Sequence, residues 1–185
     1  MEYLYSYTNK DSVNLIKKYG LLSLYGLYSV GLMDKFIKSA SKYLDRGKIK
    51  KYHLTVDDVK DDPERFFDLF QKSNGKNSHK VIWFLFQSIT PGLHKERDKF
   101  LKETVLTQVP LDIFKPDWTY YTLGFRSIRQ WTLITLKELK SIKKIFNQKI
   151  YEMKKGGKFL FTNVPHLAIA PINGKIDPKD IIFRN

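Results

Sequence analysis

Three observations predict an α+β domain built on a mostly antiparallel central sheet flanked by helices. Amphipathic helical periodicity concentrates in the first half of the chain, and extended segments dominate the second. Between them "VIWFLFQSI", Val81 to Ile89, is a near-continuous apolar run of the kind that forms a central strand covered on both faces. A chain of 185 residues is the size of one domain, and 1–185 is read as a single one.

The elements follow in order. "YLYSYT", Tyr3 to Thr8, alternates as a half-buried strand does. "DSVNLIKKYG" places Val13, Leu15, Ile16 and Tyr19 at helical spacing, with Asn9, Asp11 or Ser12 available as N-cap and Gly20 as the stop. "LLSLYGLYSVG" mixes apolar residues with Gly26 and Gly31 and reads as a loop with extended pieces. "LMDKFIKSASKYLDRG" is a helix with Phe36, Ile37, Ala40, Tyr43 and Leu44 on one face, ended by Gly47. "KIKKYHLTV" reads as a basic strand, after which Thr55 opens a capping pattern, and Asp62 followed by Pro63 starts a helix with a broad apolar face of Phe66, Phe67, Leu69 and Phe70. Beyond the central strand come a short charged helix in "TPGLHKERDKFLKE", an extended "TVLTQVPLDIF", and a strand in "DWTYYTLGF" whose Tyr120 and Tyr121 face opposite sides. The longest helix is "TLKELKSIKKIFNQKIYEMKKGG", with an apolar stripe through Leu136, Leu139, Ile142, Ile145, Phe146, Ile150 and Met153, closed by Gly156 and Gly157. Strands are predicted last around Phe159 to Phe161, His166 to Ala170 and Ile181 to Phe183, with an "NG" turn and "DPKD" between them.

Composition narrows the function. With 42% apolar and 15% aromatic residues the chain can bury a core, and with no cysteine it has neither disulfides nor thiolate metal sites. No apolar run approaches the ~18 residues of a membrane span, and the N-terminus lacks a signal-peptide pattern, so a cytoplasmic protein with no membrane partner is expected. Lys and Arg number 33 against 19 Asp and Glu, a net charge of +14. That field attracts nucleic acid or acidic substrates, or else reflects a lysine-rich genome such as that of a virus or mobile element. The long helix carries many lysines with only Glu138 and Glu152 interleaved, which marks Lys140, Lys143 and Lys144, with Arg126 and Arg129, as candidate phosphate contacts.

Familiar catalytic signatures fail. The four histidines have no metal-binding spacing, and the Gly-x-Gly-x-x-Gly, Walker and Gly-x-Ser-x-Gly patterns are absent, so no metal is expected. One stretch remains. "LYSYTNKDSVNLIKKYGLLS", through Tyr7 and Thr8, Leu15 and Ile16, and Gly20 to Ser23, resembles the start of the ADP-ribosyltransferase-like superfamily. "VIWFLFQS" looks like a buried strand of that fold, and "PHLAIAPINGKIDPKDI" like its terminal strands.

The resemblance implies an ADP-ribosyltransferase-like fold, a nucleotide or NAD as cofactor, and Tyr5, Ser6, Tyr7 and Thr8 as the residues that cradle it. Members that modify nucleic acid suit the charge. Ser6 stands where the family's motif histidine grips the ribose, and no Glu follows Glu152 to serve as the late catalytic carboxylate. His166 lies near that position and is the candidate catalytic residue. Three readings stay open: a diverged protein of this superfamily, enzyme or silent binder; a non-enzymatic nucleic-acid-binding protein; and a structural or protein-interaction module whose basic charge reflects background composition.

Overall fold

The computed structural model describes residues 2–47, 49–89, 92, 95–123, 131–155 and 166–184, with the backbone alone at Lys50, Leu123, Trp131 and 149–155. In chain order the elements are β1 (Tyr3–Asn9), α1 (Val13–Tyr19), β2 (Leu21–Leu22), α2 (Leu24–Ser29), α3 (Met33–Asp45), α4 (Val56–Asp61), α5 (Pro63–Asn74) and β3 (Ile82–Leu85). They continue with α6 (Lys95–Glu103), β4 (Thr104–Pro110), β5 (Thr119–Leu123), β6 (Trp131–Ile134), α7 (Leu136–Lys155), β7 (His166–Ala170), β8 (Lys175–Ile176) and β9 (Ile182–Arg184). The predicted α+β class is the one observed. The described residues pack as two compact units, one drawn from 1–20, 83–169 and 177–185, the other from 21–82 and 170–176.

The first unit holds a sheet that runs β6-β5-β7-β3-β1-β4-β9 among the described residues. β1 pairs antiparallel with β4 along its whole length, from Tyr3 opposite Pro110 to Asn9 opposite Thr104. It meets β3 antiparallel at Tyr5 and Leu85, and the β4–β9 and β5–β6 pairs are antiparallel too. β3 takes the central place expected of it. Trp83, however, is 43% exposed, so this strand is not covered on both faces along its length. β6 went unassigned in the sequence reading, although Trp131, Thr132 and Ile134 are strand formers; it pairs with β5 from Ile134 opposite Tyr120. Tyr120 and Tyr121 are both buried, and the Tyr120 hydroxyl donates to the Lys115 carbonyl at 2.6 Å.

α7 begins with a reciprocal cap: Thr135 N–H donates to the Glu138 carboxylate at 2.7 Å, and Glu138 N–H to the Thr135 hydroxyl at 3.2 Å. Its buried line runs through Leu139, Lys143 and Phe146, whereas Ile145 is 53% exposed. The stripe expected from apolar residues alone is therefore out of phase, because a lysine occupies the inward position. The predicted strand at Phe159 to Phe161 lies outside the described residues.

The second unit is helical, with β2 and β8 paired at its side. Caps set its helices where the sequence predicts them. The Thr55 and Asp58 side chains close a capping box on α4, and Asp62 accepts from Arg65 N–H at 3.0 Å with Pro63 in the first turn of α5. Phe36, Ala40, Leu44, Phe66, Phe67 and Phe70 form the core of this unit, with Ile49 and Leu54 buried among them. Burial of those two in a helical cluster explains why "KIKKYHLTV" is a helical turn over Lys50–Tyr52 rather than the expected strand; His53 follows it in a left-handed conformation, φ 54°.

The expected loop at "LLSLYGLYSVG" is instead β2 and α2. Ser23 caps α2 by accepting from Gly26 N–H at 3.0 Å, and its hydroxyl donates to the Gly174 carbonyl at 2.9 Å. A Cβ on Gly26 would lie 2.3 Å from that carbonyl oxygen, so glycine inside this helix allows the backbones to touch.

His79 is 5% exposed, with its ring 4.9 Å from Phe67 and 5.6 Å from Tyr25. Among the described residues no group hydrogen-bonds its Nδ1. Burial lowers its pKa from 6.5 to about 4. The unfolded chain therefore takes up a proton below pH 6.5 that the folded protein refuses until about pH 4, and stability falls across that window as the pH drops. His79→Phe is expected to remove most of that loss, ~3 kcal/mol in full, as read from urea midpoints against pH.

Candidate functional site

β1 is the strand marked out as a cradle, and its two-residue period splits the four candidates between faces. Tyr5 and Tyr7 point one way. The Lys143 ammonium of α7 sits over the Tyr5 ring, 5.2 Å from its centre. The Tyr7 ring lies 5.5 Å from Phe100 of α6, and its hydroxyl accepts from Ile89 N–H at 2.8 Å. Burial raises the pKa of both phenols. Tyr7 therefore braces the segment that leaves β3.

Ser6 and Thr8 are half-buried on the other face. Ser6 lies opposite Thr107 of β4, whose hydroxyl donates to the Ser6 carbonyl at 2.9 Å, so that face offers a short row of hydroxyl-bearing residues. A three-residue 3-10 turn, Lys10–Ser12, separates β1 from α1, and neither Asn9 nor Ser12 caps a helix through its side chain. Gly20 ends α1 as expected, with φ 89° and its N–H on the Ile16 carbonyl at 2.8 Å.

His166 is the first residue of β7, a strand that borders β3 as β1 does. Its side chain is exposed at the strand's start, and partial desolvation holds its pKa below 6.5, so the imidazole is neutral at pH 7 and able to accept a proton.

Of the basic candidates, Lys140 and Lys144 are exposed on α7. Lys143 is not: at 3% exposure it faces the core, so it is no contact for a nucleic-acid backbone. The cause is the phase of the helix, which sets it between Leu139 and Phe146 and lets its ammonium donate to the Phe86 carbonyl at the end of β3. Burial lowers its pKa from 10.5 to about 8, with Glu2 opposing the shift. Arg126 and Arg129 lie outside the described residues.

One group escaped the sequence reading. Gln87 follows Phe86, and its Oε1 is buried without a hydrogen-bond partner among the described residues, an acceptor that a hydroxyl or amide would satisfy. No sequence pattern distinguishes such a glutamine from a surface one. Among the described residues no cluster of His, Asp and Glu could hold a metal ion, and no helix is long and apolar enough to cross a membrane.

No family model matches the chain, and no curated protein does. Among solved structures, DarTG of Thermosipho africanus, in complex with ADP-ribose, aligns with 98% of this chain at 17% identity and a TM-score of 0.48. This chain spans 43% of the length of that one.

Proposed function

We propose that this chain is an ADP-ribosyltransferase-like protein that binds ADP-ribose, free or as part of NAD, on the Ser6–Thr8 face of β1, and that it engages nucleic acid through its basic surface. The observation that carries the first half is β1 itself. The segment that resembles the superfamily's nucleotide strand lies inside the sheet, beside the central strand, and runs through a 3-10 turn into a helix stopped on Gly20.

The residues present fit such a ligand in part. Ser6 and Thr8 supply hydroxyl groups that hydrogen-bond a ribose or a phosphate, whereas Gln87, two residues on from the Leu85 that pairs with Tyr5, falls by strand alternation on the Tyr5 side. Tyr5 and Tyr7 are engaged with α7 and α6, so they serve as the backing of the strand. When bound, NAD would supply a glycosidic bond whose cleavage releases nicotinamide. Nicotinamide leaves neutral with the bonding pair as an attacking hydroxyl or amine takes its place on the ribose, and His166 is the residue offered to accept that nucleophile's proton, although an imidazole cannot provide the negative charge of the superfamily's carboxylate.

The nucleic-acid half rests on the net charge of +14 and on the exposed lysines of α7. Thermal melting with ADP-ribose tests the nucleotide half. Ser6→Val is expected to weaken ADP-ribose-dependent stabilisation about tenfold in apparent affinity. Tyr7→Phe, which keeps the ring, is expected to retain it; equal loss in both variants would refute the face assignment.

A further inference from the structure

An open cleft of about 1060 Å³ lies in the first unit, and neither Ser6 nor Thr8 lines it. Its lining includes Trp118 and Leu133 and, from the first half of α7, Lys137, Lys140 and Lys144. Its volume exceeds the ~300–1,000 Å³ of typical small-ligand pockets.

The lining mixes two chemistries. Leu133 is 66% exposed on β6, the edge strand among the described residues, and adds an aliphatic side chain to the cleft. Trp118 is half-buried, its ring held edge-on by Phe114 at 5.6 Å. In the same lining, Lys137, Lys140 and Lys144 are spaced three and four residues apart, which places them on one helical face over ~10 Å of axis. All three are exposed, and no carboxylate pairs with them among the described residues. The two acids in the cleft are otherwise engaged: Glu138 with Thr135, and Glu2 with the Asn147 side chain at 3.0 Å.

Aromatic and aliphatic side chains lining one cleft with a row of exposed cations suit one class of ligand. We infer that the cleft lined by Trp118 and Leu133 and by Lys137, Lys140 and Lys144 seats a single-stranded nucleic acid, its bases against the apolar side chains and its phosphates on the lysines. A duplex keeps its base faces stacked and can use the lysines alone. The inference deepens the nucleic-acid half of the proposed function and is independent of the nucleotide strand.

The test is fluorescence anisotropy with a labelled single-stranded oligonucleotide and its duplex across a salt series. In the full chain, Lys140→Glu/Lys144→Glu is expected to lower single-strand affinity at least tenfold and to reduce the salt slope by about 1.4, two phosphates' worth. Leu133→Glu, a substitution at an exposed position, is expected to weaken the single strand several-fold more than the duplex. Lys35→Glu/Lys38→Glu, two exposed lysines of α3, serve as the charge-matched control and are expected to change little. Equal losses in the cleft and control variants, or a Leu133→Glu variant that treats strand and duplex alike, would overturn the cleft assignment while leaving nucleic-acid binding standing. A wild-type chain that binds no oligonucleotide at low salt would overturn both.

Discussion

Lys143→Met is expected to leave the protein at least as stable at neutral pH and to abolish a rise in stability between about pH 8 and 10.5. The wild-type ammonium is 3% exposed, and its charged form is disfavoured in the fold by ~3 kcal/mol. Between about pH 8 and 10.5 the unfolded chain holds a proton on this lysine that the folded protein has released. The unfolded state then binds more protons, so stability climbs with pH until the penalty is gone. Tyr5, Tyr7, Tyr120 and Tyr121 act oppositely above pH 10, since burial keeps their hydroxyls protonated in the fold after they ionise in the unfolded chain. An alkaline maximum follows. Methionine keeps the stem's packing without the charge, and urea midpoints across the pH range read the difference. A loss of several kcal/mol at pH 7 would mean that the Phe86 hydrogen bond and the Tyr5 ring outweigh the cost of burial.

Gly26→Ala is the second large effect, expected to cost at least about 3 kcal/mol. The new methyl would meet the Gly174 backbone at 2.3 Å, a contact that no side-chain rotation relieves. Relief by backbone movement would break the Ser23 bonds to Gly26 and Gly174. Gly174 cannot yield easily, since its own φ is +62° and a Cβ there would stand 2.3 Å from Ser23 Oγ. Gly47→Ala makes the contrast: its φ is positive, +71°, where that of Gly26 is helical, but it has open space around it, and should cost ~1 kcal/mol. A loss at Gly26 no larger than that at Gly47 in chemical denaturation would show that the Gly174 backbone shifts to admit the methyl.

What was legible in the sequence was what local chemistry decides. Asp62 with Pro63, Thr55 with Asp58, and Gly20 each fix a helix end within a few residues, and each sits where its side chain or its conformational freedom is used. The central strand announced itself by its unbroken apolar run. The misreadings have a common cause in long-range packing. Gly26 looks like a loop residue until Gly174, 148 positions later, is brought against it. Ile145 and Lys143 exchange the roles that hydropathy assigns them because a carbonyl at the end of β3 awaits the lysine. At the proposed cradle the strand was legible, but its alternation divides Tyr5 and Tyr7 from Ser6 and Thr8. Gln87 was invisible, since an orphaned acceptor is a property of surroundings, not of spacing.

Isothermal titration of the purified chain with ADP-ribose at low and high salt tests the central claim most directly. A saturable one-site isotherm that survives high salt, and that Ser6→Val weakens, is the expected result, because hydroxyl contacts on β1 are not screened as surface charge is. No binding heat, or binding that vanishes with salt, would contradict the claim and leave β1 an ordinary strand in a basic protein.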